Sequence, residues 1–167
     1  MPTWSGTRKK LEEDYLCPAL RGRIRYFATT YRKSHDREGR ASILLDGKEI
    51  LKSNYFDMEM AYRKTTREAA IENPEVTVRE AYRIADPIVL NNGYFDQRGF
   101  YRAFEIFDNQ SIEKSLEDEN PLVRVFALLD RRTGKRRLLA LRDKINDDRQ
   151  WVKLFYDIRM KAEFASE

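Results

Sequence analysis

Between Arg21 and Leu51 the chain is written largely in strand-forming residues, and the dipeptide Asp46-Gly47 falls inside that stretch. A two-residue type I′ hairpin loop needs positive φ at both central positions, which aspartate tolerates and glycine adopts freely. The turn predicts an antiparallel pair with Leu45 opposite Lys48 and Ile43 opposite Ile50. Upstream, Arg21–Tyr31 is rich in aromatic and β-branched residues, and Ser34–Gly39 supplies a polar turn before Arg40. Three strands follow from this text: 21–31, 40–45 and 48–51. A sheet that small needs a cover for its apolar face, and only helices remain to provide it.

The flanking segments carry helix punctuation. Ser5 is read as the N-cap of a helix over Thr7–Leu16, ended by Pro18. Phe56–Asn73 stops before Pro74, and Thr77-Val-Arg-Glu80 has the spacing of a capping box. Pro87 is expected to interrupt the helix that starts there, with Asp86-Pro87 capping a further short turn that leaves through Asn92-Gly93. Phe100, Phe104 and Phe107 mark one face of the next helix. Asn120-Pro121 and Thr133-Gly134 bracket another, with Leu122, Val125, Phe126 and Leu129 inward, and Lys135–Ile145 continues after a minimal turn. Trp151, Leu154, Phe155, Ile158 and Ala162 are expected to form the buried stripe of the last helix. The fold class is therefore α+β: an N-terminal helix and a three-stranded meander (1–55) followed by about five or six helices (56–167), in one domain of 167 residues.

Charge narrows the function. Residues 1–55 carry 12 Lys/Arg against 7 Asp/Glu, residues 56–120 carry 8 against 14, and residues 121–167 carry 12 against 7. Two basic blocks thus flank an acidic one, and either they neutralise each other in the fold or they await an acidic partner. The single Cys17 forbids an internal disulfide, and with the single His35 it leaves no Cys/His set for zinc. No apolar run approaches the ~18 residues of a membrane span, and the start lacks the apolar core of a signal peptide. These features fit a cytoplasmic protein with neither membrane nor cofactor.

Two basic constellations stand out. Strand alternation puts Arg21, Arg23, Arg25, Phe27, Tyr31 and Lys33 on one face of the first strand, a pattern able to neutralise phosphates and stack unpaired bases. The alternative packs Phe27 and Tyr31 under a helix and leaves the arginines solvated at a sheet edge. The second constellation is Arg131, Arg132, Lys135, Arg136 and Arg137 around Thr133-Gly134. Its last three cations open a helix, where they oppose the macrodipole. A bound phosphate would relieve them, and so would the acidic segment 105–119. Enzymatic signals are thin: Asp46-Gly47-Lys48 with Asp36 fits a fragment of metal-dependent nucleases, and His35 sits in a charged turn.

The segments Cys17-Pro-Ala-Leu-Arg-Gly-Arg23, Tyr31-Arg-Lys33 with Gly39-Arg40, and Asn120-Pro121 through Leu129-Asp-Arg-Arg-Thr-Gly-Lys-Arg137 resemble a family of small bacterial proteins of uncharacterised function. The resemblance implies a bacterial cytoplasmic protein and transfers no catalytic residues. Read together, the sequence points to a non-enzymatic binding protein whose partner is nucleic acid or an acidic protein surface. The alternatives are a metal-dependent nuclease or hydrolase using Asp36, Asp46 and Lys48, and a protein interaction module that should show a contiguous apolar patch.

Overall fold

Asp46 and Gly47 do adopt positive φ, at 50° and 82°, and Leu45 pairs with Lys48 across them. In the computed structural model, which describes residues 3–165, strands β1 (Ile24–Thr30), β2 (Gly39–Leu45) and β3 (Lys48–Asn54) form an antiparallel sheet in the order β1-β2-β3. The expected pairing of Ile43 with Ile50 fails. An irregularity between Ile43 and Leu44 inserts a residue, so Ile43 faces Leu51 and Leu51 turns to the core. The strand also runs on past Leu51 to Asn54, whose side chain caps the next helix.

One sheet face is buried. Ile24, Tyr26, Ala28, Ala41 and Ile43 alternate inward, against Phe100 of α4 (Gln97–Asp108) and Phe126 of α6 (Pro121–Leu129). The expected aromatic stripe on α4 and apolar face on α6 are both buried here. Helix α1 spans Trp4–Lys9 and is capped by Thr3 rather than Ser5, then widens into a π-helical turn over Lys10–Tyr15. This element runs beside edge strand β1, where a Glu12 oxygen accepts the Tyr26 backbone N–H at 2.9 Å. An edge donor is thereby satisfied.

Helices α2 (Tyr55–Glu72) and α3 (Val78–Asn91) form a hairpin arm. The Thr77–Glu80 capping box is present in both directions. Pro87, however, does not interrupt α3, which runs through it to Asn91. Pro87 and Arg83 are both exposed, so water can reach the carbonyl that the proline leaves without a donor. Gly93, at φ 84°, makes the expected exit. The buried residues of the arm, Ala69, Ala81, Ala85 and Val89, stand outside the main apolar core. The arm packs chiefly on itself.

After α5 (Ile112–Leu116) and α6, the expected Lys135–Ile145 helix is broken at Leu141 into α7 (Lys135–Ala140) and α8 (Arg142–Asn146). The last helix, α9 (Gln150–Phe164), is rotated from its expected face. Phe155 is buried and Trp151, Ile158 and Ala162 pack partly buried against the core as expected, but Leu154 is exposed and the fully buried stripe is Val152, Phe155, Tyr156 and Arg159. The buried arginine explains the difference, as its guanidinium lies inside the protein and hydrogen-bonds three backbone carbonyls.

Candidate binding surface

The sheet face opposite the core is where β1 presents its outward residues. Phe27 is 40% exposed there, so it does not pack under a helix. Its cross-strand neighbour is Ser42, and the guanidinium of Arg40 lies 5.4 Å from its ring centroid. Arg25 donates from Nη1 to Glu12 at 2.9 Å, the same carboxylate that caps the Tyr26 N–H. One acid therefore closes the strand edge and fixes an arginine beside the aromatic ring. Arg40 is held in the same way by an ion pair with Glu49 of β3. Together with Arg8 and Leu44 these residues line a shallow depression of about 480 Å³. Ser42 lines it too, fully buried, its Oγ without a hydrogen-bond partner.

The rest of the anticipated arginine row disperses. Arg23 precedes β1 and forms a bidentate pair with Asp46 at 3.0 and 2.9 Å. Those hydrogen bonds raise the Arg23 guanidinium and lower the Asp46 carboxyl relative to their ordinary values. Arg21 lies before the strand, and Tyr31 and Lys33 lie in the loop beyond it, with Tyr31 exposed. Arg8 and Arg40 were missed from sequence. Arg40 pairs with Thr29 and so shares the parity of Phe27, but this becomes visible only once the register between β1 and β2 is known.

The second basic cluster is a turn in which Arg132 and Arg137 are compensated internally. Past α6 the chain pairs with the N-terminal segment: Cys17 N–H donates to Leu129 O at 2.9 Å and Arg131 N–H to Tyr15 O at 2.7 Å. Arg132 grips the buried Asp130 carboxylate at 2.8 Å and lies 4.9 Å from the Tyr15 ring centroid. Hydrogen bonding to Asp130 raises the Arg132 guanidinium further. Arg137 pairs with Glu113, which eases the charge at the start of α7, and Lys135 lies 5.0 Å from the Phe164 ring. Arg131 and Arg136 are exposed and make no ion pair among the described residues.

The acidic segment 105–119 meets both basic blocks. Asp108 accepts from Lys10 at 2.8 Å and from the Tyr15 hydroxyl at 2.5 Å, while Glu117 pairs with Lys144 at 3.2 Å. Burial by itself would raise the Asp108 carboxyl. The hydrogen bonds from Lys10 and Tyr15 and the charges of Lys10 and Arg132 outweigh it and hold Asp108 below the ordinary carboxylate range. Tyr15 is pushed up to about 12, by burial first and then by Asp108.

The nuclease candidates are not brought together. Asp46 lies in the β2–β3 turn and Asp36 in the loop before β2, separated by that seven-residue strand, roughly 20 Å at about 3.3 Å per residue. His35 contacts Asp36 at 3.1 Å, and its side chain is otherwise in solvent. No group of three or more His, Cys, Asp or Glu among the described residues is disposed to hold a metal ion. Cys17 is buried and its thiol is raised by that burial, which suits packing rather than nucleophilic attack. No helix among the described residues is long and apolar enough to cross a membrane.

No curated protein and no solved structure matches the chain. A family profile does match, over residues 3–160, a span that includes the sheet with its outer face, the arm and the turn 131–137. The chain belongs to the SF0329 protein family.

Proposed function

We propose that this is a non-enzymatic binding protein whose outer sheet face takes an acidic partner, foremost a single-stranded nucleic acid. The observation that carries the reading is Phe27, an exposed aromatic ring on a strand face with Arg25 two residues before it and Arg40 over its ring. Exposed rings on a sheet accept unpaired bases by stacking, and flanking guanidinium groups neutralise the phosphates between them. Arg25 and Arg40 each spend part of their donor fork on Glu12 or Glu49, and the remaining N–H groups stay available. The intramolecular pairs hold both side chains in place, which lowers the ordering cost of binding. Relative to the sequence reading, the proposed site moves from the whole row 21–33 to Arg25, Phe27, Arg40 and Arg8. It leaves the turn 131–137 in a structural role. A reducing bacterial cytoplasm remains the proposed setting, supported by the single buried thiol.

The test is fluorescence anisotropy with labelled single- and double-stranded DNA and RNA, at low and physiological salt, with and without Mg²⁺. Salt-sensitive binding that prefers single strands and weakens about fivefold or more in Phe27→Ala is the expected result, because one base–aromatic stack contributes about 1–3 kcal/mol. Absence of binding at low salt would remove nucleic acid as the partner. Consumption of the oligonucleotide only with Mg²⁺ would favour the nuclease reading instead.

A further inference from the structure

Most of the exposed large apolar side chains among the described residues lie on or beside the α2–α3 arm, including Phe56, Met60, Ile84, Ile88 and Tyr94. The arm has little core of its own. Its helices meet through Ala81, Ala85 and Val89, a Tyr62–Tyr82 stack at 5.7 Å, and the Tyr62 hydroxyl donating to Asp86 at 2.8 Å. On the other side α2 and α3 border an open groove that contains Met60, Ala61, Ile88 and Tyr94. An apolar surface grouped on one appendage, outside the main core, is the pattern of an interaction site.

The charges along this groove identify its occupant. The α2 positions lining it are Asp57, Met60, Ala61, Lys64, Thr65 and Glu68, a spacing of three and four that forms one helix seam. Over its first two turns the seam reads acid, apolar, apolar, base. Such an order is complementary to itself when reversed. Two copies of α2 laid antiparallel, with a two-fold axis between Met60 and Ala61, place each Asp57 opposite the partner's Lys64 and each Met60 opposite the partner's Ala61. Phe56 then falls opposite the partner's Thr65. A parallel pairing would set Asp57 against Asp57 and Lys64 against Lys64. An antiparallel register slid by four positions would oppose Asp57 to Glu68. Only the first arrangement joins the apolar centres and opposite charges together, and a closed isologous contact is the commonest form of homodimer.

We infer that the α2–α3 arm is a homodimerisation surface in which α2 pairs antiparallel with α2 of a second copy about an axis between Met60 and Ala61. This inference is independent of the sheet-face reading, since neither surface contributes residues to the other.

The experiment is sedimentation equilibrium on the full chain and three variants over micromolar to sub-millimolar concentrations, with circular dichroism to establish that each is folded. Wild type is expected to dimerise. Lys64→Glu should weaken the dimer about tenfold, because the symmetric contact turns two attractive pairs repulsive at once. The double variant Asp57→Lys with Lys64→Glu should bind more tightly than Lys64→Glu but short of wild type, since Asp57 also accepts from Asn54 Nδ2 at 2.9 Å in the first turn of α2, and Met60→Glu should abolish the dimer by placing a charge at its apolar centre. A wild type monomeric throughout, a dimer unmoved by Lys64→Glu, or a double variant no better than the single one would each overturn the inference.

Discussion

Replacing Arg159 by methionine probes how the C-terminal helix holds the 128–133 turn. Arg159 is 2% exposed, donates from Nη1 to Leu128 O and Asp130 O at 2.8 Å each and from Nη2 to Thr133 O at 2.7 Å, and uses Nε for Glu163 at 2.9 Å. Methionine keeps most of the apolar stem, so the change is chiefly the loss of the donors and the charge. Asp130 O keeps the Thr133 N–H at 3.1 Å, so two carbonyls, Leu128 O and Thr133 O, are left without those donors, and a buried acceptor left unpaired costs about 1–3 kcal/mol. Glu163 is partly exposed and can turn to water. Allowing for relaxation and some hydration, the loss should be about 4 kcal/mol, within the range for breaking a buried ionic network. With a urea slope of about 2 kcal/mol/M, the unfolding midpoint should fall by about 2 M at unchanged slope. Glu163→Gln should cost less, about 1–2 kcal/mol, since the amide oxygen can still accept from Nε and the three carbonyl bonds remain while the buried guanidinium loses its counter-charge. The assay is urea unfolding followed by circular dichroism. A midpoint shift under about 0.5 M for Arg159→Met, or Glu163→Gln costing as much as Arg159→Met, would refute the account.

Gly39→Ala should destabilise by about 3 kcal/mol in the same assay, since a Cβ there would overlap the Gln97 side chain and the Thr29 carbonyl oxygen, whereas Gly134→Ala, with open space at its Cβ, should stay within about 0.5 kcal/mol of wild type. Asp108 has a lowered folded pKa, so its contribution is present above the unfolded value near about 3.9 and disappears as pH falls through the folded one; thermal melts of Asp108→Asn should show a shallower acid dependence than wild type. Tyr15, raised to about 12, behaves oppositely: its contribution is complete below the unfolded value near about 10 and is lost as pH rises through about 12, so Tyr15→Phe should flatten the alkaline limb of the stability curve.

Local rules recovered much of the fold. Asp46-Gly47 demanded its turn, Thr77 and Glu80 satisfied each other, and Asn120-Pro121 opened α6, because each signal depends on groups within a few residues. The failures share a longer-range cause. Pro87 was read as a break because sequence does not show that Arg83 and Pro87 face water, where the freed carbonyl can be solvated. The α9 stripe was rotated because a periodicity argument counts arginine as polar and outward, whereas Arg159 is inside on acceptors 26 to 31 residues away in sequence. The irregularity after Ile43 in the β2–β3 pairing had no sequence marker, and without the separate β1–β2 register Arg40 could not be set beside Phe27.

The two basic clusters illustrate why charge density alone is a weak guide to function. At 131–137 the guanidinium of Arg132 meets a buried carboxylate and two aromatic rings, Arg137 meets Glu113, and the surrounding backbone is held by Arg159. A phosphate arriving at that turn would compete with partners already in place on Arg132 and Arg137, leaving Arg131 and Arg136 as the exposed cations without an ion pair among the described residues. On the outer sheet face the acids stand beside the arginines at the rim, while the centre is an exposed ring that no helix covers. There, the phosphates of an incoming strand would gain donors still free on Arg25 and Arg40, and a base would contact the part of the Phe27 ring that Arg40 leaves exposed, without dismantling the core. Salt would screen the phosphate contacts and leave the stack, so a ligand at this face should retain a fraction of its affinity at high ionic strength that depends on Phe27. A ligand bound by diffuse positive charge would lose affinity equally in wild type and Phe27→Ala as salt rises. That contrast separates a built surface from a merely basic one.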